Sequence, residues 1–136
     1  MTARIIYEGN LRCSCEHLQS GSLIETDAPT DNRGKGERFS PTDTVCVALA
    51  TCAITTMGIR AQDMNIDFTG TVIDVTKHML SNPRRIGKIE LLLKLKTGTA
   101  LDDHTKMIFQ KIAETCPVKQ SLHPDLETDI RYEWES

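Results

Sequence analysis

Apolar and polar positions along the chain follow two different periods, and these periods predict an order of strands and helices. Period-two alternation or short apolar runs predict six strands, at residues 4–7, 11–18, 22–25, 66–79, 89–95 and 128–134. Helical spacing instead fills residues 40–64 and 101–115. The resulting order is βββ-α-ββ-α-β, which predicts an α+β fold that starts with an antiparallel meander.

The first predicted helix has a strong start signal at Ser40. Ser40 is a good N-cap residue, Pro41 suits the first helical position, and Asp43 lies where a capping-box acid bonds back to the cap. Residues 45–53 are apolar on nearly every side. We therefore expect this helix to be buried over most of its surface.

The second predicted helix has an apolar face and ends at a proline. Its expected inward positions are Met107, Ile108, Ile112 and Ala113. The Cys116-Pro117 pair breaks the helix, because proline cannot continue the backbone hydrogen bonding. Residues 118–122 are expected to form a further turn or a short helix.

The composition is that of one ordinary globular domain spanning residues 1–136. Charged residues make up 26% and apolar residues 39% of the chain, without internal repeats. The net charge is −3 and the basic residues are scattered, which argues against a nucleic-acid-binding surface. No apolar run of membrane-spanning length and no secretory leader are apparent, so we expect a cytoplasmic protein without membrane contact.

The five cysteines fit no small secreted disulfide framework, so reduced thiols in the cytosol are the simplest account. Cys52 lies in the first helix and Cys116 at the break after the second. A distant thiol pair in a disulfide-poor chain favours redox chemistry over a structural bridge. The spacing alone leaves open that Cys52 is a small core residue, as most free cysteines are. Cys46, about 240° around the helix from Cys52, is expected in the core.

A polar, glycine-rich loop at residues 27–39 precedes the first helix. A loop of this length inside a compact domain is more often functional than idle. It contains Arg33 and Arg38. An ordinary solvated charge is the alternative interpretation of Arg33.

Cys13, Cys15 and His17 share one face of the second predicted strand. Two sulfurs and an imidazole could hold a metal, but a closed zinc site requires a fourth ligand, and no second pair at metal spacing is apparent. Small apolar filling of the strand face is therefore expected, without a metal. No glycine-rich phosphate loop of the usual spacing is apparent, so no nucleotide cofactor is expected.

Two segments resemble a known protein family. A helix that opens S-P-T-D at residues 40–43 with a cysteine near its middle, and the C-P-V-x-Q-x-L segment at residues 116–122, are similar to the osmotically inducible protein C (OsmC) and organic hydroperoxide resistance (Ohr) family. The resemblance extends over nearly the whole chain, and segment 116–122 is its most specific part. It implies antiparallel sheets around a long central helix, in an intertwined homodimer with active sites at the subunit interface.

The resemblance also implies a chemistry, which is the thiol-dependent reduction of organic hydroperoxides without a cofactor. By position, Cys52 corresponds to the attacking cysteine and Cys116 to the resolving cysteine. Arg33 lies where the family places an activating arginine, and Arg38 is the second candidate. A nearby cation favours the reactive thiolate, and the second thiol removes the sulfenic acid before further oxidation. The implied reductant is a dithiol, either of the lipoyl type or a small thiol.

One position departs from the family pattern. The glutamate that commonly stands two residues after the helix-opening residue, and binds the arginine, is replaced by Thr42. At about 100° per residue, Thr42 lies roughly 80° around the helix from Cys52, whereas Asp43 lies roughly opposite and fits a capping role better. Thr42 could hold the arginine weakly through its hydroxyl. The alternative function is therefore an OsmC-like protein that binds a small ligand without peroxide turnover.

Overall fold

The computed structural model describes all of residues 1–136 and has the α+β element order expected from the sequence. The strands are β1 (Ala3–Gly9), β2 (Arg12–His17), β3 (Leu23–Asp27), β4 (Val72–Leu80), β5 (Arg85–Lys96) and β6 (Glu127–Glu135). The helices are α1 (Pro41–Asp63), α2 (Asp103–Glu114) and α3 (Pro117–Ser121), and a short 3-10 helix (Thr30–Asn32) precedes α1. The short helix expected after Pro117 is α3.

The chain divides into two compact units, Met1–Val45 and Cys46–Ser136. The boundary falls inside α1, so the first unit holds β1 to β3, the glycine-rich loop and the start of α1. The second unit holds the rest of α1 and all later elements. One domain over residues 1–136 stays a prediction of the sequence.

The first unit contains an antiparallel sheet in the order β1-β2-β3, as the meander pattern predicted. Gly9, Asn10 and Leu11 all have positive φ at the turn between β1 and β2. The left-handed conformation of Leu11 is uncommon for a non-glycine residue and is incompatible with a strand. For this reason β2 starts at Arg12 rather than at residue 11.

The second unit contains a mixed sheet in the order β4-β5-β6. Strands β4 and β5 are antiparallel, as expected, but β6 runs parallel to β5, from Lys88 opposite Glu127 to Lys96 opposite Glu135. The sequence analysis expected antiparallel sheets, and the structure differs in this one pair. The reason is the connection: α2 and α3 lie between β5 and β6, and a crossover of this kind returns the chain in the same direction.

The alternating residues of β5 form the centre of the second unit. Ile89, Leu91, Leu93 and Leu95 are at most 1% exposed, which confirms their predicted common face. They belong to one buried cluster with α1 side chains such as Met57. This cluster also contains Cys116, so the core of the unit extends to one of the two candidate site cysteines.

Burial on α1 is confined to one stripe, although the sequence predicted burial on most sides. The buried residues are Cys46, Leu49, Ala50, Ala53, Met57 and Ala61. They recur every three or four residues, as on a helix with one core face. Away from this stripe, Ile59 is 62% exposed.

The apolar character of α1 differs from the expectation that the chain has no apolar segment of membrane-spanning length. An 18-residue stretch of α1 is long and apolar enough, by length and composition alone, to cross a membrane, and 33% of it is buried. The sequence analysis expected no segment of that length. The same properties occur in the core helix of a globular protein, and α1 does contribute six residues to the core.

Two local predictions in the second unit were wrong. Residues 66–71 are not part of β4, because the backbone and hydroxyl of Thr69 both donate to Asp67 Oδ1, at 2.8 and 2.6 Å, and form a turn there. On α2, Met107 is 65% exposed, and Phe109 is buried in its place. Phe109 packs edge-on against Phe68 with ring centroids 4.9 Å apart, which fixes the inward face of the helix.

Candidate functional site

The structure brings Cys52 and Cys116 together within the second unit. Cys52 is in the middle of α1, and Cys116 is the N-cap residue of α3. The two side chains are neighbours although they are far apart in sequence, since Cys52 is among the groups that raise the pKa of the Cys116 thiol. Both are free thiols. Cys116 is 2% exposed and Cys52 is half-buried, so the two sulfurs differ in their access to solvent.

The electrostatic environment of Cys116 favours the neutral thiol. Burial raises the pKa of the Cys116 thiol above its usual value, because the interior disfavours the charged form. The hydrogen bond to Cys52 and the charge of that residue raise this pKa further, whereas the backbone amides of Lys119 and Val118 lower it. At neutral pH Cys116 is therefore protonated in the reduced protein.

The end of α2 positions Cys116. The Tyr132 hydroxyl on β6 lies 3.2 Å from the Gln110 carbonyl oxygen and 3.2 Å from Glu114 Oε1. The Thr115 hydroxyl donates to the Lys111 carbonyl at 2.7 Å. These bonds hold the last turn of α2 just before Cys116. Burial raises the pKa of Tyr132, and the Glu114 carboxylate raises it as well, so the hydroxyl remains a donor.

Helix α1 holds Cys52 next to residues of the core stripe. The neighbouring Ala53 and Leu49, three residues earlier, are both fully buried. Cys46 is 2% exposed and belongs to the core, which confirms its predicted place. The Cys52 carbonyl accepts a bond from the Thr56 hydroxyl at 2.7 Å.

The glycine-rich loop of the first unit contains both candidate arginines. Arg33 ends the 3-10 helix with a φ of 67°, in the left-handed region, and its side chain is exposed. Arg38 Nε donates to Glu25 Oε1 at 3.1 Å, and both side chains are exposed. Arg38 thus has a carboxylate partner on β3.

A buried carboxylate ties this loop to the sheet. Asp27 is 2% exposed and accepts two bonds from the Arg12 guanidinium, at 2.7 and 2.8 Å. It also accepts the Glu37 amide at 3.2 Å. The hydrogen bonds from Arg12 hold the pKa of Asp27 below its usual value. The loop is closely folded, since a Cβ on Gly34 would lie 1.6 Å from the Ala28 carbonyl oxygen.

The start of α1 has the predicted capping box. The Ser40 amide donates to Asp43 Oδ2 at 2.9 Å, and the Asp43 amide donates to Ser40 Oγ at 3.1 Å. The Thr42 hydroxyl lies 3.2 Å from Ser40 Oγ. Asp43 is therefore a capping residue, as its position on the helix predicted.

On the face of β2 that contains Cys13, Cys15 and His17, the histidine has a polar partner in the turn that follows the strand. His17 Nδ1 is hydrogen-bonded to Ser20 Oγ at 2.6 Å. Nowhere in the chain are three or more His, Cys, Asp or Glu side chains grouped so that they could hold a metal ion. In the sheet, Cys13 lies opposite Tyr7 on β1 and Thr26 on β3.

Sequence reasoning did not single out Arg12, Asp27 or Tyr132. Arg12 and Asp27 are 15 residues apart, and neither belongs to a recognisable motif. The one available signal for Asp27 is an acid at the start of the glycine-rich loop, which is also a common turn composition. Tyr132 was assigned to the apolar alternation of β6, and only the packing of α2 against that strand shows what its hydroxyl binds.

A comparison with protein-family models identifies the chain. The family described as OsmC-like protein matches residues 34–131. The chain belongs to the OsmC-like family. The match begins at Gly34, directly after Arg33, and thus covers the end of the glycine-rich loop, all of α1 and the C-P-V-x-Q-x-L segment.

Solved structures give the same result for the OsmC-like chain. A Psychrobacter arcticus 273-4 protein, named for an osmotic stress induced and detoxification response, is 46% identical with a TM-score of 0.93, covering 98% of this chain and 96% of that chain. An OsmC-like protein from Mycoplasma pneumoniae has a TM-score of 0.76 at 15% identity, with coverages of 98% and 96%.

One solved structure of lower sequence identity is named for a function. The organic hydroperoxide resistance protein OsmC from Legionella pneumophila has a TM-score of 0.67 at 14% identity, covering 98% of this chain and 95% of that chain. At this identity the likeness shows a shared fold. A search of curated proteins found no match.

Proposed function

We propose that this OsmC-like chain is a thiol-dependent peroxidase that reduces organic hydroperoxides, with Cys52 as the attacking and Cys116 as the resolving cysteine. The observation that carries the proposal is the contact between two free thiols of different exposure. A half-buried sulfur is accessible to a peroxide, and a buried sulfur next to it can form a disulfide with little motion. The name of the Legionella pneumophila relative supports the same substrate class.

The proposed reaction transfers two electrons from the thiol pair to the peroxide. The Cys52 thiolate attacks the terminal oxygen of the hydroperoxide and breaks the O–O bond. Cys52 then has a sulfenic acid, and the alkoxide takes a proton from water and leaves as an alcohol. Cys116, once deprotonated, attacks the Cys52 sulfur, forms the S–S bond and expels hydroxide. A dithiol reductant of the lipoyl type, or a small thiol, restores both thiols by exchange.

The remaining parts of the proposal follow from the family. Arg33 supplies the positive charge that favours the thiolate, and arginine suits this role because it stays charged and offers several donors. The active form is a cytoplasmic homodimer that needs no cofactor. The closed packing of the loop around Gly34 supports a fixed position for Arg33 within its own unit.

The test is a titration of fully reduced protein with cumene hydroperoxide and, separately, with hydrogen peroxide. Free thiols, intact mass and disulfide mapping are followed together. We expect fast loss of one thiol pair, preference for the organic peroxide, and a bridge between Cys52 and Cys116. Slow oxidation spread over all five cysteines would contradict the proposal.

Thr42 favours a second candidate function, in which the protein binds a small ligand without peroxide turnover. The residue has a hydroxyl where the family commonly has a glutamate, and this hydroxyl lies 3.2 Å from Ser40 Oγ. Thr42→Glu separates the two functions. A large gain of peroxidase activity over an inactive wild type would favour the ligand-binding function for the natural chain, whereas an already active wild type would exclude it.

A further inference from the structure

A groove beside the hairpin of β4 and β5 has an aliphatic lining. Its volume is about 480 Å³, and its aliphatic side chains are Leu80, Ile86 and Leu126. Leu80 lies across the backbone of Gly87, where an added Cβ would be 2.5 Å from the Leu80 Cγ atom. Because residue 87 has no side chain, Leu80 can line the groove in this position. The volume is in the usual range for a small-molecule site.

The same groove contains a cation that is held in place. Arg85 lines the groove, and its Nη1 donates to the Ser81 and Pro83 carbonyl oxygens at 3.1 and 2.8 Å. These two bonds fix the guanidinium at the hairpin turn and leave the N–H groups of Nε and Nη2 for another acceptor. Both acceptors are neutral carbonyls, so they do not neutralise the positive charge of Arg85.

A second donor in the groove is the His123 imidazole. The Asp125 amide donates to His123 Nδ1 at 3.0 Å, so a neutral His123 has its proton on Nε2 and can donate from that atom. The Asp125 carboxylate is 92% exposed and lies 3.9 Å from the same Nδ1. Asp125 is the one acidic residue of the lining, which also contains a guanidinium and an imidazole. An anionic group is therefore the best match for the polar part of the groove.

We propose that this groove binds an aliphatic monocarboxylate, with the alkyl chain on the three aliphatic side chains and the carboxylate on Arg85. The planar guanidinium offers paired N–H donors that match the two oxygens of a carboxylate. Neither Cys52 nor Cys116 lines the groove. This binding function is additional to the proposed peroxidase function and does not depend on it.

The test is a titration of isotope-labelled protein with octanoate, followed by amide NMR spectra. We expect saturable shifts at Gly87, Asp125 and Leu126, with a dissociation constant of about 1 mM or below. Butyrate, which has a shorter chain, should bind about tenfold more weakly or worse, because each buried methylene group changes affinity by about fourfold. Octylamine has the same chain length as octanoate and a positive head group, and it should give no saturable shifts at these amides.

Two single substitutions test the cation. Arg85→Gln should weaken octanoate binding by about tenfold to a hundredfold, because the charged donor is lost. Arg84→Gln changes the adjacent exposed arginine, which does not line the groove, and should keep the wild-type affinity. The same spectra report whether each variant is folded.

Three results would each overturn the proposed site. They are equal affinity in wild type and folded Arg85→Gln, equal binding of octanoate and octylamine, and octanoate shifts that are centred outside the groove. The comparison of ligands uses the wild-type protein, so it decides the matter even if Arg85→Gln does not fold. No peroxide is added, so loss of this site would leave the proposed peroxidase function untouched.

Discussion

At the scale of single residues, the proposed chemistry depends on two sulfurs that differ in burial. Cys116 is part of the buried cluster of the second unit, whereas Cys52 is only packed against it. A reactive cysteine needs access, and a resolving cysteine needs proximity. The difference in burial therefore supports the proposed order of roles, with Cys52 as the attacking and Cys116 as the resolving cysteine.

Single substitutions test that order. We expect Cys52→Ser to abolish consumption of cumene hydroperoxide, because the proposed reaction begins with attack by this sulfur. We expect Cys116→Ser to complete one turnover and then stop at the Cys52 sulfenic acid, which intact mass and a sulfenic-acid probe detect. Cys13→Ser, a half-exposed thiol on β2, is the matched control and should retain activity. Full turnover by either site variant would reverse or remove the assigned roles.

At the scale of elements, two side-chain contacts hold the segments that contain the candidate site residues. In the first unit, Asp27 joins Arg12 on β2 to the backbone of the glycine-rich loop at Glu37. In the second unit, Tyr132 joins β6 to the last turn of α2. Neither contact involves an atom that reacts in the proposed mechanism. We therefore expect both contacts to affect the stability of the fold and the positions of the neighbouring segments.

Removal of the Asp27 charge should destabilise the first unit. Asp27→Asn keeps the shape but leaves the Arg12 guanidinium without its ionic partner, so we expect thermal unfolding several degrees lower at neutral pH. Because the pKa of Asp27 is lowered in the folded state by Arg12, its contribution is present above the ordinary carboxylate pKa and is lost as pH falls through the folded value. The difference between wild type and variant should therefore shrink in acid.

The control for this experiment is Glu8→Gln, which neutralises an exposed acid on β1 of the same unit. Thermal unfolding of this variant should follow the wild type at each pH. The difference in unfolding temperature between wild type and Asp27→Asn is the quantity compared. If this difference stays constant from neutral to acid pH, the role assigned to the Asp27 charge is contradicted.

Loss of the Tyr132 hydroxyl should loosen the end of α2. We expect Tyr132→Phe to reduce the free energy of unfolding by about 1 kcal/mol, measured by urea denaturation, because one half-buried hydrogen-bond donor is removed. In the proposed reaction, formation of the disulfide should slow while oxidation of Cys52 keeps its rate. Tyr7→Phe is a matched control, since Tyr7 is 63% exposed. Equal unfolding free energies for wild type and Tyr132→Phe would show that the hydrogen bonds of the Tyr132 hydroxyl do not stabilise the fold.

At the scale of the whole molecule, the single chain leaves many large apolar side chains exposed. In the first unit these include Ile5, Ile6, Tyr7, Leu23 and Ile24, each more than half exposed. Exposed apolar surface of this extent is typical of an interaction site. The homodimer implied by the family is consistent with it and remains part of the proposal.

Oligomeric state is therefore open to a direct test. We expect light scattering after gel filtration to give twice the chain mass of 15.2 kDa. Ile24→Asp should weaken association by about a hundredfold, because an interface would then bury an unpaired charge. Gln19→Asp, in the exposed turn between β2 and β3, adds the same charge outside the strands and should remain a dimer. A monomeric wild type at micromolar concentration would exclude the dimer.

Several features of the fold could be predicted from the sequence because they depend on neighbours in the chain. The capping box of Ser40 and Asp43 needs only three residues, and both of its bonds are present. The inward face of β5 follows from strict alternation. The α+β order followed from the same periods. The strand predicted at residues 11–18 is present as β2, although the left-handed Leu11 moved its start by one residue.

Tertiary structure alone decided the features that join distant residues. Three such features have no signature in the local sequence. They are the parallel pairing of β6 with β5, the burial of Phe109 rather than Met107 on α2, and the ion pair of Arg12 with Asp27. The contact of Cys52 with Cys116 was implied by family resemblance, but the sequence could not show their distance or which sulfur is buried. The periodicity of the sequence determines which face of a helix or strand is apolar. Tertiary packing determines which residues that face contacts. Here packing also sets the burial of each thiol.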